Sequence, residues 1–174
     1  MSEAKNIHFS IHQVDVGIID DSVNEAKGAQ EWITYGKNDS YYPELLNLFD
    51  KANTHRSLVT GLADRYAGKG LSYPDFINPL QEAEINRFFS KKTLSKIALE
   101  TAIFFRYALL ITTNKAGTKI SRIKHIPVAN LRPSKCDEEG DINSWYYAQN
   151  WQSVQRRKET PVEYAAFQTG NVKQ

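Results

Sequence analysis

The chain has 174 residues, 41% hydrophobic, 11% aromatic and 24% charged, which is too apolar for a disordered chain and enough to build the core of one ordinary domain without staples. Its 22 Lys+Arg against 20 Asp+Glu leave a net charge of +2, far from the strongly basic balance of a dedicated nucleic-acid-binding domain. The single cysteine, Cys136, excludes an intramolecular disulfide framework and points to a reducing compartment. Met1 to Asn6 carry no apolar run of signal-peptide length, and no stretch approaches the roughly 18 apolar residues of a membrane span, so neither secretion nor membrane insertion is expected.

Ile7, Phe9 and Ile11 alternate with polar residues, and Val14 and Val16 follow after a change of phase, as in a half-buried strand or an arm laid on another surface. Asp20 to Gln30 is polar, contains Gly28, and reads as a linker or exposed loop. Residues 1–28 are therefore expected to form a separable N-terminal arm.

Pro43, placed as a first-turn proline, predicts a helix to about Ala52 with Leu45, Leu46, Leu48 and Phe49 on its apolar face. Asn53 or Thr54 can cap a second helix, in which Leu58, Val59, Leu62 and Tyr66 recur at helical spacing until Gly68 and Gly70. Pro74 and Pro79 mark a loop and the start of a third helix carrying Ile85, Phe88 and Phe89. Ser90 or Thr93 can cap a fourth, whose stripe of Leu94, Ile97, Ala98, Thr101, Phe104 and Phe105 leads directly into the β-prone run Leu109 to Thr113.

The polar turn Asn114 to Gly117 separates that run from Ile120, Ile123 and Ile126, which predicts a hairpin. Leu131 to Cys136 and Ile142 to Trp151 are further strands, divided by Asp137 to Asp141. Helices followed by strands predict an α+β fold: an N-terminal arm, helical segments, then an antiparallel β-meander. Residues 29–151 form the α+β domain, and 152–174 a polar, basic tail ending in an incomplete sheet, with Pro161, Val162, Tyr164 and Phe167.

No residue set nominates chemistry. His8 and His12 fall in a strand pattern, where positions four apart lie roughly 13 Å from each other, too far for one ion. His55 and His125 stand alone in sequence. Gly61, Gly68 and Gly70 lack the lysine-serine pair of a phosphate loop and read as helix punctuation. Cys136 sits beside Asp137, Glu138 and Glu139, the opposite of the electropositive setting of a reactive thiolate. The acidic pairs Asp20 with Asp21 and Glu82 with Glu84 read as solvated faces. No catalytic residue, cofactor or metal is therefore expected, and the chain is not expected to be an enzyme. Trp145, Tyr146, Tyr147 and Trp151 near Arg156, Arg157 and Lys158 suggest a surface for single-stranded nucleic acid, with core or interface packing the commoner use of such aromatics.

One ordered pattern stands above this background: Glu31-Trp32-Ile33-Thr34-Tyr35-Gly36, Asn38, Pro43-Glu44-Leu45-Leu46, Thr54 to Gly61, and Gly68-Lys69-Gly70. Lys124-His125-Ile126-Pro127, Leu131-Arg132 and Trp145-Tyr146-Tyr147 follow. Taken together from Gln30 to Trp151, the pattern resembles the wing region of portal proteins of tailed bacteriophages, especially those of phages and prophages of Bacteroides-type bacteria. The resemblance implies a structural subunit of a self-associating, dodecameric ring at a capsid vertex, with a role in head assembly and viral DNA packaging. Its partners would be the capsid, terminase and neck proteins, with double-stranded DNA passing through the ring. The implied location is the virion, and the bacterial host cytoplasm during assembly. Portal subunits are generally more than twice as long, and their stem, clip and tunnel elements follow the matched region, so the resemblance transfers no binding residue to this chain. The alternative is a small nucleic-acid-binding module using Trp145, Tyr147, Trp151, Arg156 and Arg157.

Overall fold

The structure, a computed structural model, describes residues 19–24, 30–74 and 77–167. The alternating segment Ile7 to Val16 lies outside them. The fold is α+β, as expected, with five helices and seven short strands among the described residues. In chain order these are β1 (Val23–Asn24), β2 (Thr34–Tyr35), α1 (Tyr41–Lys51), α2 (Asn53–Ala67), α3 (Pro79–Phe88) and α4 (Lys91–Phe104), then β3 (Ala108–Thr113), β4 (Ile120–Ile126), β5 (Leu131–Pro133), β6 (Ser144–Tyr147), α5 (Trp151–Gln155) and β7 (Val162–Ala165).

The strands divide into three antiparallel sheets, β1-β2, β3-β4 and β5-β6-β7, rather than one continuous meander. The first was not anticipated. Val23 pairs with Tyr35 inside the stretch read as a linker, and the Asp20 carboxylate accepts a hydrogen bond from the Lys37 amide at 2.8 Å. Residues Asp20 to Asn24 thus pair with the segment around β2.

Helix boundaries follow local chemistry. Asn78 and Gln81 form a reciprocal capping box ahead of Pro79, and the Ser90 hydroxyl accepts the Thr93 amide at 3.3 Å. The α2 cap differs from expectation: Ala52 precedes the helix with no side-chain bond, and Asn53 is already helical. Gly68, at φ +49°, ends α2 as expected, but Gly61 lies within the helix against open space and punctuates nothing.

Burial corrects the apolar stripes. In α2 the buried face is Val59 and Ala63, packed on Ala98 and Ala102 of α4 with Phe49, Leu62 and Ile103 around them. Leu58 is 70% exposed and Tyr66 also faces solvent, because the small residues Ala63 and Ala98 let the two helices meet along an alanine seam one position away. In α1, Tyr42, Leu45 and Phe49 turn inward, whereas Leu46 and Leu48 are exposed. Phe105 does not continue the α4 stripe: it takes a left-handed conformation, φ +55°, donates its amide to the Thr101 carbonyl, and is 80% exposed. That cap turns the chain from α4 into β3.

A second cluster joins Tyr42, Phe104 and Val128, with Tyr35, Tyr41 and Ala108 against it. A third joins Tyr146, Ala148, Trp151 and Val154 around Trp32. The latter revises the view of the tail. β6 ends at Tyr147, Trp151 begins a helix instead of ending a strand, and β7 completes the three-stranded sheet through Trp145↔Tyr164 and Tyr147↔Val162.

Candidate functional site

The most concentrated polar arrangement is built around Arg132, 1% exposed, and Asp39, 5% exposed, which stand 93 residues apart in sequence. Arg132 Nε donates to Asp39 Oδ1 at 2.8 Å and Nη2 donates to Oδ2 at 2.9 Å, a forked pairing. Nη1 donates to the carbonyls of Ala129 (2.9 Å) and Leu131 (2.7 Å). The guanidinium carbon lies 4.7 Å from the Tyr42 ring centre and 4.9 Å from that of Trp151, so the cation is held between two aromatic rings. Asp39 is presented by a turn with Gly36, Asn38 and Asp39 all at positive φ, and its Oδ1 also accepts the Tyr35 amide.

This arrangement has little capacity for chemistry. The carboxylate and the guanidinium satisfy each other, and clefts of about 370 and 760 Å³ beside them are lined by Tyr42, Trp151 and Asp39 or by Trp32, Trp151 and Arg157. It is a structural node, tying the turn before α1, the start of β5 and the start of α5 to one cation. Nothing in the local sequence singled it out. Asp39 sits in the polar run Lys37-Asn38-Asp39-Ser40, and Arg132 was noted only within the resemblance with no role attached, so only long-range pairing reveals the two together.

The residues proposed for nucleic acid are dispersed. Tyr146 and Trp151 are buried against Trp32, at ring separations of 5.6 Å each, and Tyr147 packs on Tyr164. Trp145 alone of the four stays substantially exposed. Arg156, Arg157 and Lys158 are exposed on the turn after α5. Cys136 is exposed, and among the described residues no group of His, Cys, Asp or Glu has the geometry of a metal site. His55 is on α2, and His8 and His12 lie outside the described residues.

A groove of about 550 Å³ opens between the two later sheets. Leu109, Leu110 and Ile111 of β3 form one wall, Tyr164 to Phe167 the other, with Val128, Leu131 and Trp145 between them and Tyr42 and Arg106 contributing polar groups. Arg106 donates to the Tyr42 hydroxyl at 3.3 Å and lies over the Tyr35 ring.

No family model matches the sequence, no curated protein matches it, and no solved structure does. Among the described residues no helix is long and apolar enough to cross a membrane.

Two buried titratable groups remain. Glu100 on α4 accepts the Val128 amide at 3.0 Å, and its second oxygen lies 2.9 Å from His125 Nε2 in a contact outside hydrogen-bond angles. Burial raises the Glu100 carboxyl above its usual range, against the opposing pull of the Val128 amide and His125. Tyr146 donates its hydroxyl to Glu31 at 3.0 Å, and burial together with that carboxylate pushes it from 10.0 up to about 12. A raised folded-state value means that the unfolded chain loses this proton first, so the contribution is complete below pH 10 and is lost as pH rises through about 12. Tyr146→Phe is accordingly expected to flatten the fall in urea-measured stability across that window. An unchanged alkaline slope would remove Tyr146 as its source.

Proposed function

We propose that this chain is a structural subunit that works by assembly, in the manner of the wing region of a tailed-phage portal ring at the capsid vertex. In that role it self-associates into a ring, takes part in head assembly and DNA packaging, and meets capsid, terminase and neck proteins in the virion and in the host cytoplasm during assembly. One observation supports the reading above others: several of the separated segments that carry the resemblance converge on one buried node. Trp32, Tyr35 and Gly36, the Pro43 helix with its Tyr42, Leu131-Arg132 and Tyr146 all contact or adjoin the Asp39–Arg132 pair and the Trp151 ring. Their joint packing has a physical use, that of locking helices and strands into one body able to present fixed faces to neighbours.

Exposed apolar side chains on that body agree with an assembling role. Leu58, Leu80, at 79% exposed, and Phe105 are large, unpaired with the core, and distributed over α2, α3 and the α4 cap. The nucleic-acid reading is less well supported, since of its aromatic residues Trp151 is buried and Tyr147 packs on Tyr164.

Negative-stain electron microscopy of the concentrated chain tests the proposal. Closed rings of uniform diameter are expected. Single globular particles at every concentration, with no ring or arc, would overturn it.

A further inference from the structure

The groove between the two later sheets lies on one face of the β5-β6-β7 sheet. Pro133 pairs with Trp145 and Trp145 with Tyr164, and side chains two apart on a strand share a side, so Leu131, Trp145 and Tyr164 point the same way. Arg132, between Leu131 and Pro133, points to the other side, into its pair with Asp39. The groove is thus a slot separate from the buried node. Leu109, Leu110 and Ile111 of β3 wall it, and at about 3.3 Å per residue the run from Ala108 to Thr113 gives that wall a length of roughly 16 Å. Its volume of about 550 Å³ falls inside the range of small-molecule sites, about 300–1,000 Å³.

Charge enters this slot at one point, where the chain enters β3: Arg106 is the one charged residue of its lining, and no acidic side chain lines it. Tyr42 touches two arginines there. Arg132, over its ring, is neutralised by Asp39, whereas Arg106 donates to its hydroxyl at 3.3 Å and has no carboxylate within ion-pair distance among the described residues. Tyr42 is 3% exposed, and its hydroxyl accepts the Arg106 bond without donating one to any described residue. Two donors, a guanidinium N–H and a phenolic O–H, therefore meet at the slot with no acceptor for either, and a carboxylate, which only accepts, is their complement. Arg106 is itself exposed, so a charged head can stay hydrated at the mouth while an apolar body lies inside. We propose that this slot binds a small amphipathic carboxylate, an acyl chain with one anionic head, the head held by Arg106 and the Tyr42 hydroxyl and the chain laid along Leu110, Val128, Leu131 and Trp145. The site is independent of the ring proposal and holds equally for a monomer.

Isothermal titration calorimetry on the full chain tests it by comparing decanoate with decylammonium, which carries the same tail and the opposite charge. Decanoate is expected to bind at one equivalent and at least about tenfold more tightly, the scale of a charge-assisted hydrogen bond. Arg106→Gln should bring the two affinities within about threefold of each other, while Arg106→Lys keeps a preference for decanoate. Ala166→Trp, which places a ring in the slot, should weaken both ligands by about tenfold or more, and Leu80→Ser, on α3 and outside the lining, should change neither. Equal affinities in the parent chain would overturn the proposal without recourse to any variant, as would uptake of several equivalents reduced as much by Leu80→Ser as by Ala166→Trp. A preference for decanoate that survives Arg106→Gln undiminished would place the anion elsewhere and overturn it as well.

Discussion

Arg132→Ala is expected to destabilise the fold by about 3–5 kcal/mol, the usual cost of removing one partner from a buried ion pair. The Asp39 carboxylate would be left charged and buried, while the carbonyls of Ala129 and Leu131 lose the donor that now reaches them. The Tyr42 and Trp151 rings would also lose the cation between them, opening a void where three segments meet. Against a typical total stability of about 5–15 kcal/mol, such a loss leaves little or no folded protein. Urea denaturation followed by tryptophan fluorescence reads it, because Trp32 and Trp151 sit in the affected cluster. The companion experiment is Asp39→Ala with Arg132→Met, which removes both charges and restores an apolar stem. The double variant should be more stable than the sum of its single losses predicts, with a coupling of about 0.5–3 kcal/mol. A cost below about 1 kcal/mol for Arg132→Ala would mean that the node holds nothing together.

Gly36→Ala carries the second large effect. Gly36 has φ +73° and ψ 169°, a region open essentially to glycine alone. A β-carbon there would stand 2.6 Å from the Asp20 carbonyl oxygen and 3.0 Å from the Tyr41 amide nitrogen, both backbone atoms. The chain must therefore expel the Asp20–Asn24 segment, together with the Lys37 amide bond to Asp20 and the Gly36 amide bond to the Ser22 carbonyl, or distort the turn that presents Asp39. A loss of about 2–4 kcal/mol is expected from strain and displaced contacts together. Gly117→Ala is the matched control: its φ is +70°, but nothing lies within 4 Å of the added carbon, so only the conformational penalty, about 1 kcal/mol, should appear. Equal costs at the two positions would refute the close approach at Gly36.

These two residues illustrate what was legible in the sequence. Locally encoded features were readable: Pro79 starts α3, Ser90 caps α4, Gly68 ends α2, and the Asn114 to Gly117 turn joins β3 to β4. Each depends on residues within one turn of each other, where backbone preference acts directly. Burial was harder to read. Leu58 and Tyr66 fit a helical stripe as well as Val59 and Ala63 do, and only the alanine seam against α4 decides which face is covered. Trp151 was grouped with the aromatic run Trp145 to Tyr147, although Asn150, which accepts the amides of Gln152 and Ser153, marks a helix start between them. The Asp39–Arg132 node was beyond local reading, since a buried charge pair looks in sequence like any two surface charges. The resemblance included Trp32, Gly36 and Arg132, but the packing of the first, the turn at the second and the ion pair of the third depend on partners distant in sequence.

The assembly claim is tested most directly by the solution mass of this chain, measured by light scattering across a wide concentration range at low and high salt. A mass that climbs with concentration to a discrete ring-sized particle, and that survives high salt because apolar contacts hold it, is the result expected. A strict monomer under every condition, accompanied by binding to single-stranded DNA that weakens steeply with salt, would contradict the assembly reading and favour the nucleic-acid module.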